Sequence, residues 1–186
     1  MTSSLTYSAV LLAAGRSSRM GMDKALLPVD GMALWQRQWA VLARAGATEI
    51  MLSARAEQAW VPPKLIVVRD AQPDAGPLAG IAAALAAMRS THLIVLAVDL
   101  PQMTPPWLVE LKKLCAPGVG AVGRQENFFE PLAAIYPREL LGAAKAALAS
   151  GESSLQRLIA AAGPAMMVRD VAANEADWFT NWNEPS

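Results

Sequence analysis

The stretch that most constrains the fold is an apolar run that gives way abruptly to a glycine-containing polar loop. Residues 9–13 read AVLLA and residues 15–21 read GRSSRMG. A short aliphatic run that breaks into glycine and serine predicts a buried strand feeding an open loop. Gly15 and Gly21 allow a ligand to approach the backbone closely, so that amide N–H groups can point at an anion.

Positive charge is concentrated in and just after this loop, on Arg16, Arg19 and Lys24. Arginine can grip two phosphate oxygens at once. The spacing is not that of a P-loop, because five residues separate Gly15 from Gly21 and Lys24 is not followed by serine or threonine. The G-x-G-x-x-G dinucleotide pattern is also absent. An ordinary strand-to-helix turn would explain one arginine, but the whole set favours a phosphate-binding loop.

Composition narrows the class of protein. A chain of 186 residues fits one domain, and we expect residues 1–186 to form it. Sixteen basic residues balance sixteen acidic ones, which gives no indication of a nucleic-acid or membrane partner. The apolar stretches 77–88 and 93–98 are shorter than the ~20 residues of a membrane span. With one cysteine, Cys115, and no signal-peptide pattern, a cytoplasmic location is expected.

Strand-like and helix-like patterns alternate through residue 114. Strands are predicted near 9–13, 49–54, 65–70 and 93–98, and helices near 34–43, 78–88 and 104–111. This order predicts an α/β fold, a Rossmann-like three-layer α/β/α domain with a mostly parallel sheet. Strands at 118–123 and 129–136 have a short connection and form an antiparallel addition, and they are followed by helices at 138–149 and from Ser153 and a last strand at 166–171.

Two further segments have the chemistry of a ligand site. Residues 76–80 read GPLAG, in which Pro77 suits the first turn of a helix whose N-terminal end attracts anions. Asp99 follows the central strand 93–98, where open α/β sheets place their ligands, and a carboxylate there suits Mg²⁺. A turn or helix-capping aspartate is the alternative for Asp99. His92 and Cys115 are interpreted as a satisfied or surface histidine and a packing residue.

Several of these segments together resemble one family. Residues 12–15 (LAAG), 19–21 (RMG) and 23–24 (DK) resemble the signature loop of sugar-phosphate and cofactor nucleotidyltransferases, and most of all that of the molybdenum cofactor guanylyltransferases. That family also has the motif GPLAG after an aspartate, here Asp70, and a closing Phe-x-Asn-x-Asn segment, here residues 179–183. Ala14 stands where the guanylyltransferases usually have glycine, whereas Leu-Ala-Ala-Gly is common in cytidylyltransferases.

The resemblance implies transfer of GMP from Mg²⁺-bound GTP to molybdopterin bearing its metal, with release of pyrophosphate. The residues implied as catalytic are Lys24, Arg19 and Asp99, with Asp99 as the metal ligand. The nucleotide-binding residues implied are Leu12, Ala13, Ala14, Gly15, Lys24, Asp70, Gly76, Pro77, Leu78, Ala79, Gly80 and Asp99. Asn181 and Asn183 are candidate phosphate or acceptor contacts, and Arg124, Asn127 and Glu130 could border the pocket of the second substrate.

Three alternatives remain open at this point. The nucleotide could be CTP with the same acceptor, or the acceptor could be a sugar phosphate. The chain could also be a regulatory domain that binds nucleotide without turnover, although binding alone could dispense with Lys24 or Asp99. The expected state is a monomer or weak oligomer that meets cofactor-delivery proteins transiently.

Overall fold

A seven-stranded sheet forms the centre of the fold. The computed structural model describes residues 4–15, 23–69 and 76–182. The sheet contains β1 (Tyr7–Leu12), β4 (Glu49–Ser53), β5 (Ile66–Val68), β6 (His92–Ala97), β7 (Gly120–Gln125), β8 (Phe128–Pro137) and β9 (Met166–Asp170). Its order is β5-β4-β1-β6-β8-β7-β9, in which β8 alone runs against the others. The predicted mostly parallel sheet with an antiparallel addition is therefore confirmed.

Helices cover both faces of this sheet, as the alternation of strands and helices predicts. One face packs against α1 (Leu34–Arg44) and α3 (Pro105–Leu114), and the other against α2 (Pro77–Ala87), α4 (Leu141–Ala149) and α5 (Leu155–Ala162). β1 shows why two cores form, since Ala9 and Leu11 join one core and Val10 joins the other. This is the alternation expected of a strand buried on both faces.

A small hairpin between β1 and α1 was not predicted. β2 (Pro28–Val29) and β3 (Met32–Ala33) pair antiparallel through a turn in which Asp30 has a φ of 49° and Gly31 a φ of 81°. Positive φ at both central residues is the requirement of a type I′ turn, for which Asp-Gly is a preferred pair. The hairpin carries the chain from the segment after the glycine-containing loop into α1.

Two predicted helix caps need correction. Ser154, not Ser153, caps α5, with its hydroxyl accepting from the backbone N–H of Arg157. Thr104 is at the N-cap position of α3, but its side chain makes no capping bond and its hydroxyl oxygen is buried without a partner. The physical reason is that the next two residues are prolines, which removes one of the two N–H groups that an N-cap can satisfy.

The interpretations of the histidine and the cysteine as structural residues agree with the structure. His92 is fully buried, and its ring nitrogens lie 2.9 Å from Thr91 Oγ1 and 3.0 Å from the carbonyl oxygen of Val119. Cys115 is half-buried, and burial raises its thiol pKa to about 12. Neither residue belongs to the cleft described below. Among the helices within the described residues, none is long and apolar enough to cross a membrane.

Candidate active site

A cleft of about 840 Å³ lies at the carboxyl ends of the parallel strands. This is where open α/β sheets bind ligands. Its lining comes from seven parts of the chain: residues 12–15, 23–24, 53–57, Arg69, residues 76, 77 and 80, residues 97–99 and Leu132. The cleft therefore brings together the loop after β1, the start of α2 and the aspartate after β6.

The end of β1 is held between its two neighbouring strands. The backbone N–H of Ala13 donates to the carbonyl of Ser53 over 2.9 Å, and the carbonyl of Leu12 accepts from the N–H of Val98 over 3.0 Å. These bonds continue the sheet to the point where the glycine-containing loop begins. Ala14 and Gly15 follow and line the cleft.

Lys24 enters the cleft from a short 3₁₀ turn, Lys24–Leu26, that follows the loop. The turn is capped by Asp23, whose Oδ1 accepts from the backbone N–H of Ala25 over 3.1 Å. A cap of this kind fixes the backbone from which the lysine side chain extends. Ala25 next to it is completely buried.

Asp99 lies immediately beyond β6 and faces the same cleft. Burial raises the pKa of its carboxyl, and the nearby Lys24 ammonium lowers it, partly offsetting that effect. The structure thus brings Lys24 and Asp99 within electrostatic reach of one another. A cation and a carboxylate in one cleft suit a phosphate ester that arrives with a divalent metal.

The start of α2 forms another wall of the cleft. Gly76 has a φ of 72°, a conformation that glycine adopts without strain, and Pro77 occupies the first turn as predicted. A Cβ on Gly80 would lie 2.7 Å from Ser53 Oγ and 3.1 Å from Leu12 Cδ2. Gly80 thus lets the helix lie close to β1 and β4, whereas the side chains of Leu78 and Ala79 are buried.

Comparison with known proteins places the chain in a family. The profile of the MobA-like NTP transferase domain matches residues 9–166. The chain belongs to this family. A probable molybdenum cofactor guanylyltransferase of Opitutus terrae is 44% identical, covering 94% of this chain and 89% of that protein. A molybdenum cofactor guanylyltransferase of Pseudomonas fluorescens is 36% identical over 84% of this chain and 80% of its own length.

The fold comparison agrees with the sequence comparison. The crystal structure of molybdopterin-guanine dinucleotide biosynthesis protein A from Archaeoglobus fulgidus superposes with a TM-score of 0.76, covering 96% of this chain and 93% of that one at 22% identity. This MobA-like NTP transferase therefore has the same overall arrangement of strands and helices as that structure.

Some predicted site residues of this MobA-like NTP transferase lie outside the described residues, namely Arg19, Asp70 and Asn183. Asn181 is exposed, and the N–H of its neighbour Trp182 donates to the backbone carbonyl of Asp99 over 2.9 Å. This bond brings the C-terminal segment to the aspartate after β6. The assignments of individual roles to these residues remain predictions.

The predicted second-substrate residues lie within the antiparallel hairpin formed by β7 and β8, and they do not line the cleft. Arg124 is exposed and pairs with Asp170, with 2.8 Å between Nη2 and Oδ1. Asn127 is in the exposed turn between β7 and β8. Glu130 is half-buried, and burial raises the pKa of its carboxyl to about 7. Leu132 of the same strand is the residue that reaches the cleft.

Residues 55–60, between β4 and β5, supply contacts that sequence reasoning missed. Arg55 lines the cleft, and its Nη1 donates to the carbonyl oxygens of Ala14 and, over 2.6 Å, Gly15. Gln58 and Trp60 donate to Asp23. The segment has neither helical nor strand periodicity, so no local sequence pattern marks it as functional.

One carboxylate of the cleft, that of Asp99, suits a metal ion that arrives with the substrate. Among the described residues there is no group of three or more histidine, cysteine, aspartate or glutamate side chains that could hold a metal ion. Mg²⁺ is commonly bound by one or two carboxylates together with waters and substrate phosphates. Asp99 fits that role, whereas the carboxylate oxygens of Asp23 are already engaged by Ala25, Gln58 and Trp60.

Proposed function

We propose that the protein transfers GMP from Mg²⁺-bound GTP to molybdopterin carrying its metal, which forms the guanine dinucleotide cofactor and releases pyrophosphate. The observation that carries the proposal is the convergence of Lys24 and Asp99 on the cleft beneath the loop after β1. Family membership supports nucleotidyl transfer. The names of the relatives at 44% and 36% identity support the guanine nucleotide and the molybdenum-containing acceptor.

The reaction is an in-line displacement at the α-phosphorus of the nucleotide. A phosphate oxygen of the acceptor forms the new P–O bond while the bond between the α- and β-phosphates breaks, and pyrophosphate leaves with the bonding electron pair. The attacking oxygen is already ionised, so alignment and charge stabilisation matter more than a protein nucleophile. Mg²⁺, which Asp99 would hold, neutralises phosphate charge when bound.

The chain's own residues divide this work. The Lys24 ammonium stabilises the negative charge that develops on the phosphates. Backbone at residues 12–15 and at the start of α2 binds the nucleoside and keeps it in one orientation. Ser53 and Leu132 close the sides of the cleft. Release of pyrophosphate requires no proton transfer, which agrees with the lack of a histidine among the residues that line the described cleft.

A second candidate is cytidylyl transfer to the same acceptor, and Ala14 is the observation that favours it. Calorimetric titration of GTP and of CTP in the presence of Mg²⁺ separates the two. Preferential binding of GTP supports the proposal, and preferential binding of CTP replaces it with the cytidylyl reaction. Incorporation of label from [α-³²P]GTP into molybdopterin then tests turnover. Binding without incorporation would favour a regulatory nucleotide-binding domain.

A further inference from the structure

Residues 55–60, here called the bracket segment, contact the described residues on both sides of residues 16–22, the glycine-containing loop that is here called the nucleotide loop. On the incoming side, Arg55 Nη1 donates to the carbonyl of Gly15 over 2.6 Å, and Gln58 Nε2 donates to the carbonyl of Ala13 over 2.9 Å. On the outgoing side, Gln58 Nε2 and Trp60 Nε1 each donate to Asp23 Oδ2 over 2.6 Å. One short segment thus fixes the chain before and after residues 16–22.

Gln58 is the residue that joins the two ends. Only 7% of it is exposed, and its amide nitrogen uses its two donors on Ala13 and Asp23. Its Oε1 accepts from the backbone N–H of Arg55 over 2.7 Å, so the glutamine is itself held in place. A primary amide is the neutral side-chain group that can donate twice and accept at the same time.

Asp23 connects Gln58 to the turn that carries Lys24. Its Oδ2 is engaged by Gln58 and Trp60, while its Oδ1 caps the turn that begins at Lys24. The carboxylate therefore links the bracket segment to the backbone N–H of Ala25, the residue immediately after Lys24. The indole of Trp60 is in turn held against Trp35, with ring centroids 5.8 Å apart.

We propose that Gln58 is a positioning residue, which sets the separation between the two ends of the nucleotide loop and thereby aligns Lys24 with the phosphates of the bound nucleotide. This inference rests on the proposed function. Gln58 bonds to the two loop ends and to its own segment, which suits control of loop geometry more than support of the sheet. Displacement of a catalytic group by about 1 Å can cost ~100-fold in rate.

The substitution Gln58→Glu tests the proposal with little change in side-chain size. One carboxylate oxygen can still accept from the N–H of Arg55, but the other faces the carbonyl of Ala13 and the carboxylate of Asp23, which repel it. The matched control is Gln36→Glu. Gln36 is exposed at the start of α1 and uses only its Oε1, which accepts from the N–H of Ala33, so a carboxylate preserves its contact.

Steady-state kinetics with GTP should show kcat/KM reduced roughly 10–100-fold in Gln58→Glu and unchanged in Gln36→Glu. We expect most of the loss in kcat, because misalignment affects the transition state more than ground-state binding. Equal kinetics in the two variants, both folded by circular dichroism, would overturn the positioning role.

Trp60→Phe provides a second variant in case Gln58→Glu does not fold: it should have a lower kcat than Gln36→Glu, and an equal kcat would overturn the positioning role. It removes only the indole N–H that bonds to Asp23 and keeps an aromatic ring beside Trp35. It also identifies the Trp60 indole signal in ¹⁵N spectra by loss of that signal. We expect this signal to shift in Gln58→Glu but not in Gln36→Glu, because both donors share Asp23 Oδ2. An unshifted signal would contradict the inference that Gln58 and Trp60 hold the Asp23 carboxylate together.

Failure of the proposed function would be recognised separately. If the wild-type protein turns over neither GTP nor CTP, that function is wrong, and the bracket is then judged by calorimetric binding of inorganic pyrophosphate with Mg²⁺. Weaker binding by Gln58→Glu than by Gln36→Glu supports the positioning role. Equal binding overturns it.

Discussion

Gly123 in β7 offers a quantitative test of how the sheet and α3 pack together. The substitution Gly123→Ala would place a Cβ 2.6 Å from Cζ2 and 2.9 Å from Cη2 of Trp107. Favourable carbon contacts lie near ~3.5–4.0 Å, so the ring and the strand must separate by about 1 Å. Trp107 is 1% exposed and its Nε1 donates to the carbonyl of Ala133 over 2.9 Å.

The indole ring of Trp107 has little room to move away from Gly123. The guanidinium carbon of Arg169 lies 4.6 Å from the ring centroid, and the ring of Phe179 packs edge-on at 4.8 Å. Overpacking of a core costs ~1–3 kcal/mol, and a weakened buried hydrogen bond adds about 1 kcal/mol. Replacing a strand glycine recovers ~0.5–1 kcal/mol of backbone entropy. We expect a net loss of about 2 kcal/mol in the free energy of unfolding.

Urea denaturation followed by circular dichroism measures this loss. Gly142→Ala is the matched control, because a Cβ on that helical glycine meets no atom within 4 Å. A stabilisation of ~0.5–1 kcal/mol is expected there. In a Trp107→Phe background the crowding ring atoms are missing, so Gly123→Ala should cost at least about 1 kcal/mol less. A loss below ~0.5 kcal/mol, or the same loss in both backgrounds, would refute the packing argument.

The remaining predictions concern charge. Lys24→Ala and Asp99→Asn should each reduce label transfer from GTP at least ~100-fold without loss of the fold, the scale of removing one preorganised charge, whereas Asp30→Asn should not. Near-wild-type transfer in either variant would remove the role assigned to that residue. Because the Glu130 pKa is raised from 4.5 to about 7 in the folded protein, its contribution to stability is present at low pH and is lost as the pH rises through 7. The raised pKa corresponds to at most about 3.4 kcal/mol, and solvent around the half-buried carboxyl reduces this to ~1–2 kcal/mol. Glu130→Gln should therefore stabilise the protein at pH 8 but not at pH 4, as measured by urea denaturation. The exposed Glu139→Gln should show no such difference, and equal effects of Glu130→Gln at both pH values would contradict the assignment.

Much of the architecture follows from local patterns. The run 93–98 is apolar at every position, which is typical of a strand buried on both faces, and β6 is that strand. Pro77 and Gly76 predict the start of α2 to within one residue. The four polar residues 124–127 separate two apolar runs by a short connection, which correctly predicts the antiparallel pair of β7 and β8. Each of these signals lies within a short stretch of sequence, so the strand, the helix start and the antiparallel pair could be predicted without knowledge of tertiary contacts.

Other features depend on contacts between distant parts of the chain. The pairing of β9 with β7 is parallel and joins residues more than forty positions apart, for which the sequence contains no local signal. The bracket segment is irregular, and its importance comes entirely from hydrogen bonds to residues 13–15 and 23. The β2–β3 hairpin is different, since Asp30-Gly31 is a strong local turn signal that could have been used.

The position of β8 also has a consequence for synthesis of the chain. β5, β4, β1 and β6 all precede residue 98, so the parallel half of the sheet is made first, and β8, which pairs with the outer edge of β6, ends at Pro137. Translation at ~5–20 residues per second leaves the outer edge of β6 without its partner for roughly 2–8 seconds. An unpaired edge of this kind is a template for aggregation. The nascent chain is therefore most in need of chaperone protection during that interval, and slower codons between residues 98 and 137 should lower the soluble yield.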